Sequence, residues 1–388
     1  MKLHYKRLGD YIREVNVRNR DLAITNLVGL SIDKILIPSV ANTVGTDMST
    51  YKIICRDQFA CSLMQVSRDG KIPVAMLTED EAIVSPAYLI FEVLDTEVLL
   101  PEYLMMWFSR SEFDREASFY AVGGVRGSLT WEDFCNMTLP IPSIDIQREI
   151  VTEYEALSRR IAINEQLCDK LEQAAQALYR KMFVDDIDPE NLPDGWRMAK
   201  IREFCDINDS NVKKSNTKTI RYLDSSSVTE NLFSDMQILN PQFDEMPSRA
   251  QRKVKNGDIV YSTVRPNLKH YGIIRDSYCD DIVVSTAFAV IRSNKPYILN
   301  ELIYLWITDM KNTEALQSIA EMSKATYPSI VAEDILSLFV AVPVHWNDEQ
   351  KEAQNIISKL CKQASQINNE NKIIVKLQTL LLSKLATN

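Results

Sequence analysis

One exit signal is written twice in this chain. Residues 138–151 read TLPIPSIDIQREIV and residues 340–357 read VAVPVHWNDEQKEAQNII. Each is a short apolar run, a proline, and then Gln and acids entering helix-forming sequence. Other correspondences keep the same order at nearly constant offset, which is the signature of an internal repeat. IVSPAYLIFEV (83–93) answers VVSTAFAVIRS (283–293) at offset 200, an alternating β-rich segment around a shared Val-Ser-x-Ala-aromatic core. EYLMMWF (102–108) answers LIYLWIT (302–308), each an apolar amphipathic helix. WEDFCNMTLPIP (131–142) answers AEDILSLFVAVP (332–343), pairing Glu132 and Asp133 with Glu333 and Asp334; Gln147 then answers Gln350 at offset 203. Each half is therefore a mixed α/β unit followed by a long helix.

The exit signal has a physical reading. Proline cannot donate to a β-ladder and biases the residue before it toward extended backbone, so Pro140, Pro142 and Pro343 end a strand and force an extended departure. Asp145 and Asn347 are the expected helix N-caps, with Gln350 at the capping-box position after Asn347. Beyond them the apolar spacing alternates four and three. The first seam runs Ile150, Tyr154, Leu157, Ile161, Asn164, Cys168, Leu171, Ala175, Leu178, Met182. Adding 203 gives Ala353, Ile357, Leu360, Ala364, Ile367, Asn371, Ile374, Gln378, Leu381, Leu385. This is coiled-coil spacing, with Asn164 and Asn371 as register-setting positions. The competing expectation is that each helix packs only on its own domain, but the seam is longer than one small domain covers.

Connectivity sets direction. The first helix ends at FVDDIDPENLPDGW (183–196), a polar Pro-containing link into the second α/β unit, and the second helix starts where that unit ends. If the helices pair, they pair antiparallel. The expected fold is α+β: two similar mixed α/β domains separated by a long antiparallel two-helix coiled coil, a pseudo-twofold repeat. The expected boundaries are 1–142 (first domain), 143–183 (central helix), 184–343 (second domain) and 344–388 (distal helix).

With 46% hydrophobic and 25% charged residues over 388 positions, the chain has an ordinary globular composition with enough length for two or three cores. No apolar run approaches bilayer-spanning length and the N-terminal segment has no apolar h-region, so a cytoplasmic setting without membrane association is expected. The seven cysteines stand singly, with no CxxC pair, which argues against a disulfide framework or a zinc site. The three histidines, His4, His270 and His345, have no partner at metal-ligand spacing. No metal and no cofactor are expected.

The sequence has no GxGxxG or Walker A loop and no nucleophile-elbow pattern. AVGGVRGS (121–128) is glycine-rich but lies between expected helices, which disfavours a nucleotide cradle. NPQF (240–243) differs at Gln242 from the Asn-Pro-Pro-aromatic loop of adenine amino-methyltransferases, and the companion Gly-rich loop is absent upstream; a turn is the better reading. What remains is binding. Residues 246–275 carry seven bases (Arg249, Arg252, Lys253, Lys255, Arg265, Lys269, Arg275) and one acid, Asp258, inside a chain of net charge −9. The centre of this segment alternates like a hairpin and places Ser262, Thr263, Arg265, Asn267 and Lys269 near its turn, residue types that contact phosphates and base edges. The matching place in the first half has Ser67, Arg68 and Lys71 flanking Asp69-Gly70. A solvated charged hairpin is the competing reading; its presence in both halves favours nucleic acid. Tyr88, Arg126, Arg252, Lys253, Lys324 and Tyr327 join the candidate DNA-contacting set.

Carried by LPIPSIDIQREI, VPVHWNDEQKE, LPDGW and NGDIVYSTVRPN in this order and twofold layout, the chain resembles the specificity subunit (HsdS) of type I restriction–modification systems along essentially its whole length. The resemblance implies two target-recognition domains, each reading one half of a split double-stranded DNA sequence. It implies paired helices that fix the gap and dock two methyltransferase (M) subunits, a restriction/translocase (R) subunit joining that core, and no catalysis by the chain itself. The second exit signal departs from the pattern, with His345 and Trp346 intruding and one proline remaining. A subunit clamped on DNA by larger partners need not supply all the phosphate neutralisation, which reconciles the acidic total with local basic faces. The alternatives are a protein-binding coiled-coil scaffold, which a salt-dependent DNA gel shift discriminates, and a self-contained methyltransferase, which S-adenosylmethionine binding discriminates.

Overall fold

A computed structural model describes residues 5–39, 45–64, 66–122, 128–212, 218–276, 278–323 and 327–386. The chain forms two compact units, residues 1–162 with 372–388 and residues 163–371.

In the first unit the opening strand Tyr5–Arg7 pairs antiparallel with Thr138–Pro140, the strand that carries the exit signal. A four-stranded antiparallel sheet follows in the order Ile12–Val15, Leu89–Val93, Phe59–Cys61, Val74–Met76. A smaller sheet joins Val17–Arg18, Lys52–Cys55 and Glu81–Val84. Helices Pro101–Phe108 and Ser111–Val122 lie against the larger sheet over an aromatic core, in which Phe59 stacks on Phe91 at 4.9 Å and both meet Phe108 edge-on. A reciprocal capping box starts Trp131–Asn136, with the Asp133 N–H donating to Thr130 Oγ1 (3.0 Å) and the Thr130 N–H to Asp133 Oδ2 (3.2 Å).

The second unit repeats the plan. Trp196–Lys200 pairs with Phe339–Pro343, and the four-stranded antiparallel sheet runs Cys205–Ile207, Phe288–Ser293, Ile259–Ser262, Tyr271–Ile273. A second sheet adds Gln237–Leu239, Ile220–Leu223, Ile282–Ser285 and Ala250–Lys253, with Ile220–Leu223 parallel to Ile282–Ser285. The repeated Val-Ser-x-Ala acquires a reason: the Ser85 hydroxyl accepts from the Ala87 N–H (3.3 Å) and the Ser285 hydroxyl from the Ala287 N–H (3.2 Å). In both heads this local turn redirects the chain from one sheet to the next.

The central helix spans Ile144–Phe183 and the distal helix Asp348–Lys384, and each runs through both units. Every seam position named from the sequence is buried or half-buried. Within each unit the two helical segments pair antiparallel and also cover the head's core. Ile150, Val151, Tyr154, Leu381, Leu382 and Leu385 pack on the first head; Ala175, Tyr179, Phe183, Ile357 and Leu360 pack on the second. The division between units therefore falls inside the helices.

Two local expectations change. The central helix starts at Ile144, so Asp145 sits in its first turn, where a carboxylate favours the positive end of the helix dipole, and is not the N-cap. At the distal helix the expected box forms: the Gln350 N–H donates to Asn347 Oδ1 (2.8 Å) and the Asn347 N–H to Gln350 Oε1 (3.1 Å). The partner of Gln147 is Gln354, not Gln350. Gln147 Oε1 accepts from the Leu100 N–H (2.9 Å) and its amide donates to the Val98 carbonyl (2.8 Å). Gln354 Oε1 accepts from the Leu299 N–H (3.0 Å) and its amide donates to the Tyr297 carbonyl (3.2 Å). Each glutamine thus satisfies the orphan backbone groups where a head helix begins against a long helix.

Candidate nucleic-acid interface

The basic segment folds as the antiparallel hairpin Ile259–Ser262/Tyr271–Ile273, with Tyr261 opposite Tyr271. Its strands are apolar and buried, so the polar residues gather at the connection. There a one-turn 3-10 helix, Pro266–Leu268, is flanked by two non-glycine residues in the left-handed region, Arg265 (φ 48°) and Lys269 (φ 56°). Each costs roughly 1–2 kcal/mol, and proline further restricts the residue before it. Surrounding contacts hold this geometry. The Arg265 N–H donates to the Pro328 carbonyl (2.9 Å), the Ile330 N–H to the Thr263 carbonyl (2.8 Å), and the Asn267 N–H to Gln317 Oε1 (3.2 Å). Backbone strain retained at an exposed tip marks a place where side-chain direction matters.

The candidate residues divide by what their side chains do. Arg265, Asn267, Lys253 and Lys269 are exposed. The Arg265 guanidinium lies 5.2 Å from the centre of the Tyr327 ring, an aromatic face that orients it. Lys269 Nζ is 2.7 Å from Glu230 Oε1. Ser262 is buried and bonds locally to Val264, while the Thr263 hydroxyl donates to the Ala287 carbonyl (2.9 Å). Two bases of the segment turn inward. Arg252 donates to Asn208 Oδ1 and to the Phe288 carbonyl, and burial lowers its pKa. Arg275 pairs with the buried Glu301 at 2.5 Å. The lone acid, Asp258, is buried against Arg292 at 2.6 Å. The outward charge of the segment is thus smaller than its sequence count: Arg249, Lys253, Lys255, Arg265 and Lys269 are exposed, the last two at the tip.

In the first head the corresponding hairpin is Phe59–Cys61/Val74–Met76. Ser67 and Arg68 lie in its one-turn helix Val66–Asp69, closed by Gly70 in the left-handed conformation (φ 64°) with its N–H on the Val66 carbonyl (2.9 Å). Lys71 Nζ lies 4.0 Å from Asp33. Tyr88 is half-buried against the core of this head, and its carbonyl accepts from Lys52 Nζ (2.7 Å). Arg126 and Lys324 lie outside the described residues. Sequence reasoning missed Glu230 and Asp33, which reach the tips from separate hairpins; the only local signal is the turn-forming Asn231 after Glu230. NPQF forms a turn in which the Gln242 N–H donates to Asn240 Oδ1 (3.0 Å), leaving Phe243 82% exposed. No group of three or more metal-ligating side chains occurs among the described residues, and none of their helices is long and apolar enough to cross a membrane.

Comparison with known proteins places this architecture. Residues 66–173, from the first tip into the central helix, match the family model of the type I restriction modification DNA specificity domain. The chain is similar to the type I restriction enzyme HindI specificity subunit of Haemophilus influenzae, with 32% identity over 139 residues; the match spans 36% of this chain and 29% of that relative. A crystal structure of a type I restriction-modification system S subunit from M. genitalium has the same fold, with TM-score 0.61 at 11% identity over 99% of this chain and 96% of that one. HsdS from Thermoanaerobacter tengcongensis aligns over 98% of this chain and 96% of its own, at 18% identity and TM-score 0.36. Residues 66–173 thus match a type I restriction modification DNA specificity domain, and the chain shares the fold of a solved S subunit.

Proposed function

We propose that the chain reads a bipartite double-stranded DNA target on behalf of a type I restriction–modification complex and has no catalytic step of its own. The observation that carries this reading is the tip of the second head, where Arg265 is held in a strained, exposed conformation against Tyr327 beside Asn267 and Lys269. An oriented guanidinium on a narrow projection suits a bidentate contact to guanine O6 and N7 in the major groove, and the neighbouring polar groups suit phosphates. The first head presents its own hairpin tip on a sheet of identical strand order, which suits two separate half-sites.

Partner subunits have a surface to use. Ile373, Leu377 and Leu380 form an exposed i, i+4, i+7 stripe on the distal helix, outside the seam. An apolar stripe on an already paired helix suits further helices, and we assign it to docking of methyltransferase subunits, with restriction subunits joining that assembly. The test is a salt-dependent gel shift of the chain with its methyltransferase subunit against a duplex library. Retention of a split consensus supports the reading; binding without sequence preference at every salt concentration contradicts it.

A further inference from the structure

We propose that Glu230 is a built-in competitor for Lys269 that suppresses binding to DNA of the wrong sequence; this rests on the tip hairpin being the DNA-contacting edge. Glu230 and Asn231 form the two-residue turn of a satellite hairpin, Val228–Thr229/Leu232–Phe233, with φ of 46° and 67°. Positive φ at both positions is the geometry of a tight hairpin turn, and here it is fastened to the tip by backbone bonds. The Glu230 N–H donates to the Lys269 carbonyl (3.1 Å), the Asn231 N–H to the Tyr271 carbonyl (3.0 Å), and the Ile273 N–H to Asn231 Oδ1 (2.7 Å). Phe233 seals the arrangement by lying over Gly272, where a Cβ would come within 2.7 Å of the ring. The carboxylate is therefore carried on fixed backbone to Lys269 Nζ, 2.7 Å away, and both side chains stay about half exposed.

An exposed ion pair adds little to folding stability, so stability does not account for the pairing. The first head repeats the arrangement from an unrelated stretch of sequence. Asp33, in the turn between Val28–Leu30 and Leu36–Pro38, lies 4.0 Å from Lys71 Nζ. Its N–H is held by Ser31 Oγ (2.9 Å), and the next residue, Lys34, is anchored on Asp114 at 2.8 Å. Each tip lysine thus has a carboxylate in place of a phosphate before DNA arrives. A duplex phosphate must displace that carboxylate. A duplex registered by base contacts has binding free energy to spend on the exchange, whereas a random duplex depends on the lysines themselves. The pair lowers non-specific affinity more than specific affinity, which is discrimination built by penalising the wrong partner.

The test uses the full chain and two labelled duplexes, one of random sequence and one selected by the chain from a library, titrated across salt concentration. For Glu230→Gln, binding to the random duplex strengthens and its log K against log salt plot steepens by about 0.9, the increment for one more neutralised phosphate. The gain on the selected duplex is smaller, so the specificity ratio falls. Lys269→Met makes the slope shallower on the selected duplex, where the exchange has occurred, and in that background Glu230→Gln no longer steepens the slope on the random duplex. An unchanged slope for Glu230→Gln overturns the proposal. So does a loss confined to one base pair of the selected duplex, which would make Glu230 a direct reader of cytosine N4. Arg265→Ala separates the two levels. If it too is silent on the selected duplex, the tip is not the interface and both readings fail; if it weakens binding while Glu230→Gln does not move the slope, only the present inference fails.

Discussion

The Asn164 side-chain amide donates to Asn371 Oδ1 at 2.8 Å, so equivalent positions of the two repeats hydrogen-bond to each other inside a helix seam. Asn164 is 2% exposed, and Cys168 adds contacts to Asn368 Oδ1 (3.3 Å) and the Ala364 carbonyl (3.4 Å) one turn along. A polar pair at seam positions gives up stability and fixes register, because any slip leaves the buried Asn164 amide and the half-buried Asn371 amide without each other. Asn164→Leu alone should cost about 1–3 kcal/mol by stranding Asn371, while the double replacement by leucine should return close to the parent. Urea unfolding of the two single variants and the double variant measures the coupling. Additive losses would mean that the amides do not act as a pair.

Glu301 makes the second unit sensitive to acid. Burial pushes its pKa up, but attraction and hydrogen bonding from Arg275, with the Ser358 hydroxyl at 2.9 Å, bring it net below its usual value. A lowered folded pKa means the ionised form is favoured by folding. The stability it lends is full above the unfolded carboxylate range near about 4.3 and is lost as pH falls through the folded value. Glu301→Gln should destabilise this unit by about 3 kcal/mol at neutral pH, since Arg275 keeps a buried charge without its counterpart. It should also flatten the acid limb of a stability–pH profile, and an acid limb identical to the parent's would contradict the assignment.

Gly272 is required by the close approach of Phe233 and not by backbone freedom. Gly272→Ala should cost roughly 1–3 kcal/mol through overpacking and loosen the satellite hairpin from the tip. Hydrogen exchange at the Asn231 and Ile273 amides reads this directly: faster exchange is expected at both. Unchanged protection would show that Phe233 can move aside without consequence.

Arg265→Ala should cost about 1–3 kcal/mol on the preferred duplex and relax one half-site only. Tyr327→Ala should produce a smaller loss at the same base pairs, because it removes the surface that aims the guanidinium. Competition binding with single-base variants of the selected duplex measures both. A uniform loss across all sequences would make Arg265 a phosphate contact.

Much of this was legible because it is local or periodic. The four-three spacing of the seam, the Asn347–Gln350 box and the duplicated mixed α/β plan all follow from residue type, spacing and internal repetition. The glutamine correspondence was not. Offset 203 aligns the apolar seam, whereas the bonds to backbone relate Gln147 to Gln354 at offset 207, one four-residue seam step further, so seam spacing does not reveal this pairing. Nor does a count of bases reveal that Arg252 and Arg275 face inward, since their partners Asn208, Phe288 and Glu301 come from distant segments. The pairing of Lys269 with Glu230 and of Lys71 with Asp33 is hidden for the same reason.

The central claim is that this chain, through its two heads, decides which DNA is modified. Methylome sequencing of a host without other DNA methyltransferases, expressing this chain with its methyltransferase subunit, tests it most directly. The account predicts methylation at one split motif, two short defined halves around an undefined gap, present only when this chain is expressed and relaxed in one half alone by Arg265→Ala. A contiguous motif, or the same methylation in cells lacking the chain, would contradict it.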